Sequence, residues 1–321
     1  MFQVELIERK TAALTPSSIR CLSWMPTVNI TAGCVHNCIY CYIKGYQNYP
    51  GDRTVRVYQN TASQVAQELK RKRRQGGKPI AVYFCPSSDA FQPIPEVLDQ
   101  SFETMRTLLQ NNVGVQFVTK GIIPDRFFEL FAQHPHLVSG QIGISTLDQS
   151  IANLFEPAAA PLATRMEQFK RFIQLGITPP LISARADPLI HGITDTDNLL
   201  RPFLTALRQT GITHLSVSYL FLRPAIRSNI ARNIPDISMR QTILNAYSGH
   251  ESLILRGGDQ LGQPLLIDIR RNNFDRIRRL ADESDISLHI CGCKNPDLTE
   301  QRCNLTQLTI TGRDVAQGTL W

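Results

Sequence analysis

The stretch Cys34-Val35-His36-Asn37-Cys38-Ile39-Tyr40-Cys41 carries three thiols within eight residues. Three thiolates on one loop can hold three irons of a cubic [4Fe-4S] cluster and leave the fourth iron open, whereas four cysteines would close it. Zinc sites more often use separated Cys-x2-Cys pairs or cysteines completed by histidine, and His36 is sterically awkward as a fourth ligand inside this loop. The spacing favours an iron–sulfur cluster over zinc or a chance group of buried thiols.

Length and composition indicate a globular enzyme-sized chain. The 321 residues are 42% hydrophobic, which is enough for a large core, and α/β barrels of this length are common as one unit. We expect no signal peptide and no membrane association, because the N-terminus lacks a basic region followed by an apolar run and no apolar stretch approaches about 18 residues. Clustered cysteines indicate metal binding in a reducing compartment, so we expect a cytoplasmic protein.

The charge is compatible with a polyanionic partner. The net charge is +7 and the sequence pI is near 9.1. The densest basic run, residues 70–74, ends a predicted helix, where cations also favour the helix dipole. A second basic cluster lies further along the chain: Arg270, Arg271, Arg276, Arg278 and Arg279. Both groups are either solvated helix surface or phosphate-binding patches.

Six β-rich segments alternate with helical patterns. The predicted strands are 26–30, 80–84, 115–119, 141–145, 181–184 and 214–221. The predicted helices between them are 63–74, 96–111, 124–132, 163–175 and 197–210. Such alternation predicts an α/β fold with a parallel sheet and right-handed crossovers, which closes most naturally as a partial (β/α)6 TIM-type barrel.

The chain is predicted to have three parts. Residues 1–26 are an N-terminal lead-in, residues 27–222 form the partial barrel, and residues 223–321 form a C-terminal extension. Helices near 237–247 and 272–284 and a strand at 286–290 are expected in the extension, which would close the open side of the barrel. Barrel enzymes place their chemistry at the C-terminal ends of strands, and polar groups follow five of the predicted strands. These groups are Cys34, residues 85–89, 119–121, 145–146 and 185–188.

The cysteine spacing, with the aromatic Tyr40 before the last cysteine, is the signature of the radical S-adenosylmethionine (SAM) superfamily. The first 220 residues further resemble its spore photoproduct lyase-like branch, often described as DNA repair photolyases. The resemblance rests on several ordered pieces. They are residues 31–42, Ser88-Asp89-Ala90-Phe91-Gln92-Pro93 with Glu96, Thr119-Lys120, Ser145-Thr146, and Glu156-Pro157 with Arg165.

The resemblance implies roles for individual residues. Cys34, Cys38 and Cys41 would ligate the cluster whose open iron binds SAM. Lys120 and Ser145 fall where the family contacts SAM, and a lysine charge suits the SAM carboxylate whereas hydroxyls suit its ribose and amino group. Residues Ser87, Ser88 and Asp89 lie at the strand end that usually meets the amino group.

Two of these assignments have structural alternatives. Lys120 can also be a surface lysine at a strand end. Arg185 is a further candidate for binding the SAM carboxylate, and the alternative is a structural ion pair with Asp187.

In spore photoproduct lyases a cysteine near the second strand end donates a hydrogen atom, and two tyrosines around the third cluster cysteine relay it. Tyr40 and Tyr42 match the relay positions. Cys85 is the thiol nearest the donor position, but it lies four residues before Asp89, one more than in the lyase. Cys85 is therefore either the donor or a small buried residue at a strand end.

The set Cys291-x-Cys293-x9-Cys303 lies outside the resemblance. Two thiols two residues apart can bind one metal or cluster, with Cys303 as a third ligand and Cys21 or an exogenous atom as the fourth. Three interpretations remain open. The set holds an auxiliary [4Fe-4S] cluster, it holds zinc or another structural metal, or its thiols bind nothing.

The sequence thus predicts a radical SAM enzyme. Such an enzyme cleaves SAM reductively to a 5'-deoxyadenosyl radical, which takes hydrogen from a substrate, and it needs a reductant such as ferredoxin or flavodoxin. The lineage and the basic charge favour a nucleic-acid substrate, and a peptide or small metabolite stays open. The alternatives are a non-catalytic iron–sulfur protein that senses redox state or binds nucleic acid, and a structural zinc protein.

Overall fold

A mostly parallel sheet forms the centre of the protein in the computed structural model, which describes residues 2–17, 25–74, 77–249, 252–254 and 261–299. The strands in chain order are β1 (Gln3–Ile7), β2 (Thr15–Pro16), β3 (Pro26–Val28), β4 (Thr31–Ala32), β5 (Thr54–Tyr58), β6 (Ala81–Phe84), β7 (Gly114–Thr119), β8 (Val138–Gly143), β9 (Ile182–Leu189), β10 (His214–Tyr219), β11 (Leu253–Ile254), β12 (Leu261–Gly262) and β13 (Ser287–Ile290). The α-helices are α1 (Thr61–Arg74), α2 (Pro95–Gln110), α3 (Asp125–Ala132), α4 (Gln149–Phe155), α5 (Leu162–Gln174), α6 (Asp197–Gln209), α7 (Pro224–Asn233), α8 (Ile237–Asn245) and α9 (Ile267–Asp282).

Eight strands make the main sheet in the order β13-β10-β9-β8-β7-β6-β3-β2. All neighbouring pairs are parallel except the β2–β3 pair at one edge. In the part of the chain that the structure describes, the edge strands β2 and β13 do not pair with each other, so the sheet is not closed. This arrangement confirms the predicted α/β fold with a partial TIM-type barrel.

The buried strands show why the alternating pattern predicts the fold. All four residues of β6 and all six of β8 are buried, as expected for parallel strands covered on both faces. On the helix side, the Phe117 ring of β7 packs on Phe91, Phe131 and Phe172 at centroid distances of 5.1, 5.9 and 6.2 Å. These aromatic contacts fasten the outer helices to the sheet.

The opposite face of the strands, inside the barrel, is polar. Gln141 on β8 donates from Nε2 to Ser183 Oγ and Ser216 Oγ, each at 3.1 Å, and accepts from Arg185 Nη1 at 3.0 Å. Successive residues of a strand point to opposite faces, so these side chains belong to the same face as Asp187, which lines the cavity described below. These hydrogen-bonded side chains in the barrel interior therefore form the floor of that cavity.

Several boundaries differ from the predictions. The strand predicted at 141–145 is Val138–Gly143, because its pairing with β7 begins at Val115↔Val138. The strand predicted at 181–184 continues to Leu189 beside β10. Strands β1 and β5 and helices α4 and α7 were not predicted. A second sheet has the order β1-β5-β4, and its β1–β5 pairing joins Gln3 to Thr54, a distance in sequence that no local pattern reveals.

The C-terminal region contributes to the same sheet. Strand β13 pairs with β10 from His214↔Ser287 to Val217↔Ile290. Helix α9 packs against α6 and β13, and α7 packs against the 3-10 helix Tyr42–Gly45 that follows the cysteine loop. Among the described helices, none has both the length and the apolar character that crossing a bilayer requires.

Candidate active site

A cavity of about 800 Å³ opens at the C-terminal ends of the barrel strands. Nearly all residues singled out from the sequence line it: Cys34, Cys38, Tyr40, Cys41, Tyr42, Cys85, Ser87, Ser88, Asp89, Lys120, Arg185, Cys291 and Cys293. They come from the ends of different strands, which a parallel barrel brings to one rim. Ser145 is the described exception, and Cys303 lies outside the described residues, as does Cys21.

The cysteine loop is held from three directions. Val35 N donates to Gln92 Oε1 at 2.9 Å, Ile39 N donates to Phe155 O at 3.0 Å, and Ile39 O accepts from Asn229 Nδ2 at 2.5 Å. Gly33 begins the loop at φ +89°, and a Cβ there would lie 2.6 Å from Thr54 O, so only glycine fits. These protein contacts fix the position of the loop.

His36 lies in the loop but braces it from inside. The ring is buried, with Nδ1 3.0 Å from Ala158 O and Nε2 3.3 Å from Asp89 Oδ2. Burial alone would lower the pKa of His36, but the Asp89 carboxylate outweighs it and raises that pKa. Both ring nitrogens thus face protein partners.

Asp89 connects three strand ends. Its carboxylate accepts hydrogen bonds from Phe91 N at 2.8 Å, Thr119 Oγ1 at 2.8 Å and Lys120 N at 2.9 Å, besides facing His36. Burial would raise the pKa of Asp89, but the His36 charge and the donated hydrogen bonds lower it below its usual range. The carboxylate is thereby committed largely to fixing the loop after β6 against β7.

Lys120 belongs to a buried charge network. Its Nζ lies 3.4 Å from Glu156 Oε1 and 3.3 Å from Asp187 O. Glu156 also accepts hydrogen bonds from Tyr40 OH and from Arg165. Burial would raise the pKa of Glu156, but Lys120 and Arg165 lower it, so the carboxylate stays ionised. Lys120 is therefore not a solvated surface lysine, and its ammonium is held at the cavity wall.

Arg185 is engaged by the protein. Its guanidinium donates from Nη2 and Nε to Asp187 Oδ2 at 2.6 and 3.1 Å, and Lys294 pairs with the other oxygen of Asp187. Burial would raise the pKa of Asp187, but Lys294 and Arg185 lower it well below its usual range. The geometry corresponds to the structural ion pair that was the alternative to a SAM carboxylate clamp.

Cys85 lies at the end of β6 with φ +51°, and its thiol is buried at the cavity. Burial raises its pKa to about 12, so the thiol is protonated at neutral pH. Tyr42 OH donates to the carbonyl of the next residue, Pro86. Cys85 and Tyr42 are thus brought to the same strand end.

Ser145 is separated from this group. It lines a smaller neighbouring cavity together with Tyr40, Phe155 and Glu156. The Tyr40 ring borders both cavities, so Ser145 lies beyond that ring. Its contact with SAM stays a prediction.

The thiols of the loop fit an iron–sulfur cluster by their chemistry. Burial raises the pKa of Cys34, Cys38 and Cys41, so the thiolate form needs a cation in place of the proton. Among the described residues, no three histidine, cysteine or acidic side chains are placed around a single metal ion. The three thiolates of a cubic cluster need not surround a single ion, because each thiolate binds a different iron.

Some site residues were missed by sequence reasoning. Asn229 and Lys294 come from the C-terminal region, yet one holds the cysteine loop and the other pairs with Asp187. The adjacency of Lys294 to Cys293 was the one available signal for it. No sequence pattern links Asn229 to Ile39, which lies 190 residues earlier.

Comparisons with known proteins agree with this geometry. An uncharacterized protein, ORF301, of Acidianus two-tailed virus is 24% identical over 197 residues, covering 58% of this chain and 64% of that protein. A "Radical SAM Nalpha-GlyT isomerase" of Pseudomonas phage M6 is 22% identical over 188 residues, covering 58% of this chain and 37% of its own length. The chain thus spans less than two thirds of either curated relative.

Solved structures share the fold. Spore photoproduct lyase complexed with a dinucleoside spore photoproduct matches with a TM-score of 0.67 and 15% identity, over 89% of this chain and 81% of the lyase. A radical SAM methyltransferase from Sphaerobacter thermophilus matches with a TM-score of 0.50 and 16% identity, over 83% and 66%. The family model described as "Radical SAM superfamily" matches residues 28–201, more than half of the sequence. The chain therefore belongs to the radical SAM superfamily.

Proposed function

We propose that this chain is a radical SAM enzyme whose [4Fe-4S] cluster is held by Cys34, Cys38 and Cys41. The observation that carries the proposal is that these thiols and Lys120 line one cavity at the strand ends. When bound, the reduced cluster supplies the electron that cleaves SAM to methionine and a 5'-deoxyadenosyl radical. We further propose that a ferredoxin- or flavodoxin-type reductant provides this electron in the cytoplasm.

The cavity wall offers groups for SAM. The ammonium of Lys120, held by Glu156, can bind the SAM carboxylate through a charge-assisted hydrogen bond. Ser87 and Ser88 line the cavity and can accept from the SAM amino group, and Asp89 positions the segment that carries them. Arg185 is secured by Asp187 and contributes positive charge from the cavity floor.

Cys85 suits hydrogen-atom donation. Its protonated thiol lines the cavity, so its S–H hydrogen can pass to a carbon radical of the substrate and leave a thiyl radical. Tyr42 lies beside Pro86, and Tyr40 lies at the Lys120–Glu156 pair, which suits the relay positions that the resemblance assigns to them.

An anionic substrate suits the cavity. Among the described lining residues there are five cations (Lys44, Lys120, Arg185, Arg223 and Lys294) against two carboxylates (Asp89 and Asp187). Such an excess of positive charge attracts polyanions. Together with the dinucleoside bound by the structurally similar lyase, this supports a nucleic-acid substrate for this chain. A peptide or small metabolite is the alternative outcome of a substrate screen.

The proposal is tested by oxygen-free reconstitution with iron and sulfide, followed by dithionite and SAM. We expect 5'-deoxyadenosine from the parent chain and from Cys85→Ala, because Cys85 acts after SAM cleavage. We expect none from Cys38→Ala, which loses a cluster ligand. If Cys38→Ala forms 5'-deoxyadenosine at the parent rate, the ligand assignment is wrong. If the parent binds a cluster but forms none, a non-catalytic iron–sulfur protein is the better description.

A further inference from the structure

The turn Cys291-Gly292-Cys293-Lys294 lies at the same cavity as the cysteine loop. Both cysteines line that cavity, and Cys291 N extends the β13–β10 ladder by donating to Val217 O at 3.0 Å. Strand β13 forms one edge of the main sheet, and β3, which precedes the cysteine loop, lies next to the other edge. The two thiol groups therefore reach the cavity from opposite edges of the partial barrel.

A buried arginine fastens this turn from behind. Arg270 on α9 is 1% exposed, and it donates to Asn295 Oδ1 at 3.1 Å, to Asp297 Oδ1 at 2.9 Å and to Leu265 O at 2.9 Å. Asn295 is fully buried and donates to Cys291 O from Nδ2 at 2.9 Å and from its backbone N at 3.1 Å. A guanidinium is costly to bury, so its use here indicates that the position of the turn matters.

Lys294 fastens the turn from the cavity side. Its ammonium pairs with Asp187 of β9, whose carboxylate also receives Arg185. The turn is thus held at both ends, with its two thiols between the anchors and at the cavity wall.

We infer that Cys291 and Cys293 form a second thiolate metal site that opens into the substrate cavity, with Arg270 as its positioning residue. Two thiolates two residues apart suit one soft metal ion or one edge of an iron–sulfur cluster. Because both cysteines share the cavity with the loop that would bind SAM, the metal would face the substrate rather than serve as a remote electron relay. This inference rests on the proposed function.

The metal is tested with ferrous iron plus sulfide in one arm and with zinc alone in the other. With iron, the Cys291→Ser/Cys293→Ser double variant should lose about four irons per chain relative to the parent. With zinc, the same variant should lose about one zinc per chain. The arm that shows the loss identifies the metal. Equal metal content of parent and double variant in both arms overturns the inference.

The shared cavity is tested by electron paramagnetic resonance of the dithionite-reduced chain. Two reduced clusters facing one cavity should couple magnetically, and the signal of the loop cluster should sharpen in the double variant. If the second metal is zinc, cobalt(II) in its place should broaden the same signal. A second centre that is present but magnetically isolated from the loop cluster overturns the substrate-facing placement.

The role of Arg270 is tested with Arg270→Lys, which keeps the charge but loses the forked donors. We expect second-site metal to fall at least several-fold while the loop cluster and 5'-deoxyadenosine formation persist. Arg271→Lys, on the exposed side of the same helix, is the control. Asn295→Ala removes the side-chain bonds of Asn295 to Cys291 O and to Arg270 Nη1 but leaves the guanidinium in place, and it should show the same loss if Arg270→Lys fails to fold. Unchanged second-site metal in a folded variant contradicts the positioning role.

The two proposals fail in different ways. Normal 5'-deoxyadenosine formation with unchanged metal in the double variant removes the second site alone. A second site that responds as expected, in a chain that forms no 5'-deoxyadenosine, removes the proposed SAM chemistry and leaves a metal-binding protein.

Discussion

Gly143 determines where the Lys120 ammonium can lie. A Cβ at position 143 would stand 2.7 Å from Lys120 Cγ and 2.8 Å from Lys120 Nζ, closer than atoms tolerate. We expect Gly143→Ala to push the ammonium from the cavity wall and to weaken SAM binding roughly tenfold, because a charge-assisted hydrogen bond contributes about 1.5–3 kcal/mol. Anaerobic SAM titration of the reconstituted chain measures this.

The control for Gly143→Ala is Gly77→Ala, where a Cβ has nothing within 4 Å. SAM affinity should stay at the parent value in this control. If Gly143→Ala binds SAM with the parent affinity, the Lys120 ammonium can reach the cavity wall in another side-chain conformation.

Removal of the charge should have the larger effect. Lys120→Met keeps the length of the side chain but loses the ammonium, so we expect SAM binding to weaken roughly ten- to hundredfold. The double variant with Gly143→Ala should be no worse than Lys120→Met alone, since both changes act on one contact. Additive losses in this cycle would mean that Gly143 acts independently of Lys120.

Single residues also show where sequence reasoning reaches and where it stops. The position of Lys120 at the cavity could be predicted, because this residue directly follows a strand and the ends of parallel strands meet. The partners of Lys120 could not be predicted in the same way, since Glu156 joins Tyr40 across 116 residues and that contact depends on the packing of α4. The Arg185–Asp187 ion pair was named from the sequence as an alternative, and the structure shows both residues on one face of β9, which continues past the predicted end at residue 184.

Asp195 connects elements rather than single residues. It follows β9, accepts from Tyr219 OH of β10 at 2.7 Å, lies 3.1 Å from His191 Nδ1, and lies 3.7 Å from the Arg276 guanidinium of α9. Burial would raise the pKa of Asp195, but the hydrogen bonds from His191 and Tyr219 outweigh it and lower that pKa. The carboxylate therefore ties α9 to two barrel strands in its ionised form.

The lowered pKa sets the sign of a pH effect. An acid whose pKa is lower in the folded state stabilises the fold above its unfolded pKa, about 3.9 for aspartate, and this stabilisation disappears as pH falls through the folded value. We expect Asp195→Asn to lower the free energy of unfolding by roughly 1–3 kcal/mol at pH 7, with the difference shrinking below about pH 4. Urea unfolding across this pH range measures it.

The control for this prediction is Asp275→Asn, an exposed position on α9, the helix whose Arg276 faces Asp195. Asp275→Asn should leave the free energy of unfolding near the parent value at pH 7. A difference between parent and Asp195→Asn that grows on acidification would contradict the assigned pKa direction.

Elements whose apolar residues recur with a regular period were predicted from the sequence, and elements that depend on pairing between distant segments were missed. Helices such as α2 and α5 were placed within one residue, because their apolar positions repeat with the helical period. Strands β1 and β5 escaped prediction because they form a small separate sheet with alternating, half-exposed residues. Helix α7 escaped because its buried positions are few and its role is to meet the cysteine loop.

The C-terminal region is more closely joined to the barrel than an appended domain would be. Strand β13 covers the β10 edge, Asn229 bonds the cysteine loop, and Lys294 reaches Asp187. The division into a barrel at 27–222 and an extension at 223–321 stays a prediction about folding units. The contacts across it indicate that the cavity needs both parts.

A chain ending at residue 222 should therefore fail to form the site. Among the buried core side chains that it loses are Ile226, Ile230, Phe274, Ile277 and Leu280. Their burial is worth about 7–15 kcal/mol in total, comparable with the whole stability of a typical domain. It also exposes the β10 edge as a template for aggregation. We expect no cooperative urea transition and less than about a tenth of the parent's bound iron. Asn229→Ala, which loses the bond to Ile39 O and a local bond from Asn233 Nδ2, should stay folded and keep most of its iron. A truncated chain that unfolds cooperatively and binds iron at the parent level would show that the barrel forms the site alone.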